Sequence, residues 1–168
     1  MAYVYGFVNG VSVAAVLVPV ATGVATIKTM LQVKMSSPHA GKVIEWGFSA
    51  DAAAAAVPGS VELIETAAVF ATVTAFAAGD ICKWSDPNAP VQTEYFDVGT
   101  AASGFTASAE GTVAATRIFE SQQMPPTGFY SKQFPLGREP LLTTANSLRI
   151  RTKFAADVNI TCYVLIEV

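Results

Sequence analysis

From Gly23 onward apolar and polar residues alternate almost throughout, and a period of two is the mark of strands buried on one face. Between Ala25 and Met35, the side chains of Ile27, Leu31, Val33 and Met35 share one face, with Lys28, Gln32 and Lys34 on the other. From Lys42 to Ser49, Ile44, Trp46 and Phe48 alternate with Val43, Glu45 and Gly47. Val61–Thr66 and Val69–Ala77 are rich in Val, Phe and Thr, residues that suit a pleated, half-buried surface. Asp51–Ala56, stopped by Pro58-Gly59, predicts a loop across the end of a sheet, and the breaker-rich run 85–90 predicts a surface crossing. Thr112–Glu120 and Phe129–Phe134 return to strand. The chain closes with Leu148, Ile150, Thr152 and Phe154 set against Arg149, Arg151 and Lys153, and then with Val158, Ile160, Cys162, Val164 and Ile166 on one apolar face. Roughly eight to nine short strands without a long amphipathic helix predict an all-β fold, an antiparallel β-sandwich of jelly-roll type spanning residues 23–168.

The N-terminus has a different pattern. Residues 1–27 contain no Lys, Arg, Asp or Glu, a length that by itself would span a bilayer. Asn9, Gly10, Ser12, Pro19, Thr22 and Gly23 interrupt it, and no basic residue flanks its start, so neither a membrane helix nor a signal peptide is expected. Tyr3, Tyr5 and Phe7 alternate along one side, as do Val11, Val13, Ala15 and Leu17. This pattern predicts an extended apolar arm over residues 1–22 that lies against another subunit. Removal of Met1–Ala21 is then expected to leave a folded sandwich.

Composition agrees with an assembling domain. Of 168 residues, 52% are hydrophobic and only 14% charged, and the mean hydropathy is +0.43, more apolar than one core of this size requires. A net charge of −3 gives no electrostatic drive onto nucleic acid. Residues 45–120 carry ten acids against only Lys83 and Arg117, whereas 128–153 hold Lys132, Arg138, Arg149, Arg151 and Lys153 against only Glu139. Such blocks either dock one subunit on the next or are solvated strand faces, since sequence blocks interleave once strands pair in a sheet.

Candidate chemistry is sparse. His39, the single histidine, lies between Pro38 and Ala40 in a turn, without a nucleophile context around it. Cys82 and Cys162 lack metal-ligand spacing and read as small buried hydrophobes of a chain made in a reducing cytoplasm, although a disulfide between them stays open. Asp80, Asp86 and Asn88 are hard oxygen ligands in one loop, yet turns select the same residues for their own backbone. Trp46, Trp84, Phe129, Tyr130 and Phe134 are candidates for a sugar platform or a subunit interface, with Trp46 better placed in a core. The corner Pro135-Leu136-Gly137-Arg138-Glu139-Pro140 presents Arg138 and Glu139 as candidate contact residues. No cofactor and no catalytic residue is expected.

The segments KVIEWGFSAD (42–51), VELIET (61–66), SDPNAP (85–90), GTAASGFTASAEGTVAATRIFESQQMPPTGFYSKQFPLGREP (99–140) and LRIRTKF (148–154) resemble a family of small structural proteins of tailed phages and prophages, especially those of actinobacteria. The resemblance covers residues 23–168, and its members are similar to minor capsid or head-decoration (cement) proteins. It implies a jelly-roll-like fold, a homotrimer, no enzymatic activity, and the major capsid protein as partner on the virion surface, with assembly in the host cytoplasm. The interaction residues expected on this reading are Tyr3, Tyr5, Phe7, Val11, Val13, Leu17, Trp84, Arg138 and Glu139. Rival readings are a tail, spike or lectin-like glycan-binding module using Trp84, and a donor-strand filament subunit.

Overall fold

The computed structural model describes residues 2–11, 16–51, 57–67, 70–112, 115–144 and 146–168. Their strands are β1 (Val4–Val8), β2 (Val20–Ala21), β3 (Lys28–Lys34), β4 (Gly41–Asp51), β5 (Gly59–Thr66), β6 (Thr72–Ala75), β7 (Cys82–Lys83), β8 (Gly104–Ala109), β9 (Ala115–Met124), β10 (Phe129–Gln133), β11 (Leu141–Leu142), β12 (Ser147–Lys153) and β13 (Asn159–Glu167). Nested antiparallel pairs define the architecture: β1 with β13, β3 with β12, β4 with β10, and β5 with β9. The chain thus folds back on itself and wraps, placing β1-β13-β4-β10 in one sheet and β3-β12-β5-β9 in the other. That is the jelly-roll order expected from the sequence. The insertion between β5 and β9 widens both sheets, adding β7 beside β1 and the pair β8-β6 beside β3.

The core between the sheets obeys the alternation. Ile160, Cys162, Val164 and Ile166 of β13 are buried, as are Leu148 and Ile150 of β12 and Leu31 and Val33 of β3. In β4 and β3 simple parity fails at a bulge, which inserts a residue and reverses the facing of the rest of the strand. In β4, Glu45 pairs with Leu165 but Val43 pairs with Ile166. Val43 therefore turns inward with Trp46 and Phe48, and Ile44, expected on their face, is only half-buried. In β3, Leu31 pairs with Ile150 and Thr29 with Arg151, so Met30 is buried beside Leu31.

The N-terminal arm is corrected. β1 is the first strand of the jelly roll, hydrogen-bonded to β13 on one side and β7 on the other. Tyr5 and Phe7 are fully buried in their own core, where Phe7 packs edge-on against Phe96 at 4.7 Å between centroids and Tyr5 against Phe96 at 5.3 Å. Tyr3 packs on the same cluster, 6.5 Å from Tyr95. Past the end of the strand, the Asn9 side chain continues the ladder: its amide donates to Ile160 O at 2.8 Å and its carbonyl accepts from Cys162 N at 2.8 Å. The period-two pattern does mark extended chain here, but hydropathy does not say whether a strand pairs with its own sheet or a neighbour's. The described strands of the first 22 residues, β1 and β2, accordingly belong to the same sandwich as the rest of the chain, and Val13 lies outside the described residues.

The charge blocks mostly meet within the chain. Glu62 of β5 and Arg151 of β12 are cross-strand partners joined at 2.6 Å, Glu65 pairs with Arg117, and Arg149, fully buried, lies 3.9 Å from Glu110. At the open side of the sandwich, Glu120 on edge strand β9 takes Lys132 at 2.6 Å and the Tyr130 hydroxyl at 2.7 Å, both from edge strand β10. These bonds tie the two sheet edges together.

Candidate interaction surface

The outer face of the β1 sheet is built around two glycines. In β1, Tyr5 and Phe7 point inward, so Gly6 points outward, and the Trp84 ring lies directly over it: a Cβ on Gly6 would sit 2.6 Å from Trp84 Nε1. The chain just past β7 is held by backbone bonds, Trp84 N to Val4 O at 2.8 Å and Val4 N to Ser85 Oγ at 2.8 Å. In β4, Gly47 plays the same part for Tyr163 of β13, whose ring would lie 2.6 Å from a Cβ there. Only glycine lets an aromatic ring lie this close to a strand.

Between these rings runs a groove of about 450 Å³, floored by Gly6, Val8, Tyr163 and Leu165 and walled by Leu17, Cys82 and Trp84. Trp84 is 64% exposed at its rim. Two acids, Glu45 and Asp80, belong to the lining, and no base does. The Tyr163 hydroxyl donates to Glu45. Burial, together with that bond to a carboxylate, pushes the Tyr163 phenol up to about 12, so it remains a donor at any physiological pH. An apolar trough with acids at its edge has no nucleophile–base arrangement; what it can do is hold an apolar or cationic group.

The expected site residues are dispersed. Trp84, Leu17 and Phe7 line the groove, Phe7 being fully buried, whereas Tyr5 lies in the core and Val11 is exposed. Trp46 is core, as expected, its ring tilted against Phe48 and Tyr130. Phe129, 79% exposed, sits on β10 at the opposite edge of the sheet from β7, so no joint platform with Trp84 forms. Asp80 accepts from Ala77 N at 2.9 Å and Asp86 from Asn88 N at 2.8 Å, the local turn bonds such residues make. His39 packs edge-on against Tyr95 at 5.0 Å. Both cysteines are free thiols. Cys162 is a buried core residue, and burial pushes its thiol up, while Cys82, expected to be buried, is exposed in the groove.

Arg138 and Glu139 occupy a tight corner. Arg138 N donates to Pro135 O at 2.9 Å, closing a turn whose third residue, Gly137, has φ of +80°. The Glu139 carboxylate folds back to accept from Gly137 N at 3.0 Å. The backbone N–H of Glu139 itself, followed by that of Gly137, holds its carboxyl below the ordinary range. Leu136, at the tip, is 96% exposed.

Sequence reasoning missed Gly6, Tyr163, Leu165, Cys82 and Leu136. A usable signal existed for two of them. A glycine at the outward position of an otherwise aromatic strand needs a ring to cover it, and a leucine between Pro and Gly in a corner has nowhere to hide. Among the described residues, no helix is long and apolar enough to cross a membrane. No protein-family model, curated protein or solved structure matches the chain.

Proposed function

We propose that the protein is a non-enzymatic structural subunit of a phage virion, a head-decoration or cement protein that binds the outer capsid surface as a homotrimer and adds contact area between capsomers. The observation that carries the reading is apolar surface left uncovered on a rigid jelly roll: Trp84, Leu136 and Phe129 are each more than half exposed, on well-fixed strands and turns. The apolar groove beside Trp84 is surface of the kind that marks a place where another molecule sits. The sandwich supplies the rigid body and the groove a pre-formed contact, so little ordering entropy opposes association. The resemblance of segments 42–51, 61–66, 85–90, 99–140 and 148–154 to phage structural proteins supplies the virion context. The direct test is whether the protein purifies with intact particles of the phage or prophage that encodes it, at a fixed ratio to the major capsid protein. Its absence from washed particles would end this reading.

A second reading has one observation in its favour. Trp84 lies exposed over Gly6 in a groove shared with Glu45 and Tyr163, an arrangement on which a sugar ring could stack. A saturable change in tryptophan emission on adding cell-wall polysaccharide is its expected result, and an unchanged spectrum would remove it.

A further inference from the structure

We infer that the groove over Gly6 receives the Pro135–Pro140 corner of a second copy of this chain, with Leu136 seated between Trp84 and Leu165 and Arg138 against Glu45. The inference rests on the reading of the protein as a self-assembling subunit and names the surfaces that do it.

The first argument is complementarity. The corner offers one large apolar side chain, 96% exposed, and a guanidinium two residues on. Among the described residues, Arg138 and Lys153 of the basic half have no ion pair, whereas Lys132, Arg149 and Arg151 are paired within the chain. The groove offers the reverse: apolar walls, volume for a leucine side chain with room to spare, and Glu45 and Asp80 with no base among the lining residues. Glu45, partly exposed and accepting from the Tyr163 hydroxyl, still has acceptor positions for an arginine.

The second argument is placement. The corner joins β10 to β11, both of which pair with the outer side of β4 at one edge of the sheet. The groove lies toward the other edge, across β13, β1 and β7. The exposure of Leu136 shows that the knob does not fill the groove of its own chain. A knob at one edge and a socket toward the other make a head-to-tail contact, which closes into a ring when the rotation between copies divides the circle.

The third argument is preorganisation. The turn bond from Arg138 N to Pro135 O, the Gly137 N–H held by Glu139, and the flanking prolines fix the corner before binding. The socket is fixed by the two ring-on-glycine contacts. Neither side needs to order on association.

The structure provides its own probe, because Cys82 is exposed in the groove and Cys162 is buried. In the full chain, Leu136→Cys treated with a short bis-maleimide should give species that link Cys82 of one copy to position 136 of the next. Neither wild type, which carries only the groove thiol on its surface, nor Leu136→Cys/Cys82→Ser should form them. Leu136→Asp should weaken self-association by at least about tenfold in light scattering while leaving the circular dichroism spectrum unchanged, since the side chain it replaces touches little. Arg138→Glu should weaken association as well and make what remains less salt-sensitive. An assembly that persists in Leu136→Asp, with no mixed cross-link, overturns the inference but leaves the subunit reading standing. A wild-type monomer overturns both. Polysaccharide that shifts Trp84 emission equally in wild type and Leu136→Asp, with no mixed cross-link, assigns the groove to a glycan and overturns the inference.

Discussion

Phe7→Ala tests the place of β1 most sharply, because an arm and a core strand predict opposite results. Phe7 is fully buried, with its ring 4.7 Å from Phe96 and 5.7 Å from Phe76, both contributed by the insertion between β5 and β9. Truncation leaves a hole between the β1 sheet and that insertion, which the flanking ladders with β13 and β7 prevent from collapsing. Phe→Ala substitutions at such sites cost about 3–5 kcal/mol, a large part of the roughly 5–15 kcal/mol by which domains are stable. With a urea slope near 2 kcal/mol/M, the unfolding midpoint should fall by about 2 M. The assay is urea unfolding monitored by circular dichroism, with wild type and variant at the same protein concentration because association contributes to stability. Val11→Ala is the internal control: it lies in the same apolar stretch but is exposed, and should move the midpoint very little. A Phe7→Ala midpoint within about 0.3 M of wild type would refute the assignment of β1 to its own core. By the same logic, deletion of Met1–Ala21 should leave an unfolded chain, since it removes the outer partner of β13 along with Tyr5 and Phe7.

Gly6→Ala should displace the Trp84 ring, which a Cβ would meet at 2.6 Å; the expected readout is a shift in tryptophan emission and weaker self-association with at most about 1 kcal/mol lost in stability, because an exposed ring can move aside. An unchanged emission would contradict the stacking. Glu120→Gln should loosen β9 from β10 and alter the acid limb of stability. Burial opposes ionisation of Glu120, but hydrogen bonds from Lys132, Tyr130 and Gln122 outweigh it and hold the carboxyl below its ordinary value. A depressed folded-state value gives stability that is present above the unfolded value, near 4.3, and is lost as pH falls through the folded one. Wild type should therefore exceed Glu120→Gln at neutral pH and converge with it in strong acid; parallel curves would show that the bonds contribute nothing.

Much of this fold is legible in the sequence because its signal is local. Strands β3, β4, β5, β12 and β13 each carry an alternating apolar face, and the absence of a strand–helix rhythm leaves the sandwich as the natural solution. The illegible parts depend on distant partners. The β8 segment reads as turns because Gly104 and its small neighbours have no β preference; it is a strand because Gly104 admits the backbone of β6, where any Cβ would run into Thr74 O. Gln32 has the pattern of a solvated position, yet it is fully buried, with its amide bonded to Ala71, Ala101 and Ala102 of the inserted segment. The groove is half visible: Trp84 and Leu17 stand out in the sequence, but the residues they rest on come from β1, β4 and β13, which only the wrap of the jelly roll brings side by side.

Static light scattering of the wild-type chain across a range of concentrations bears most directly on whether this protein is a self-assembling structural subunit. The account predicts a discrete species of three times the 17.6 kDa chain mass, stable to dilution at micromolar concentration. A chain that stays monomeric over that range would contradict it.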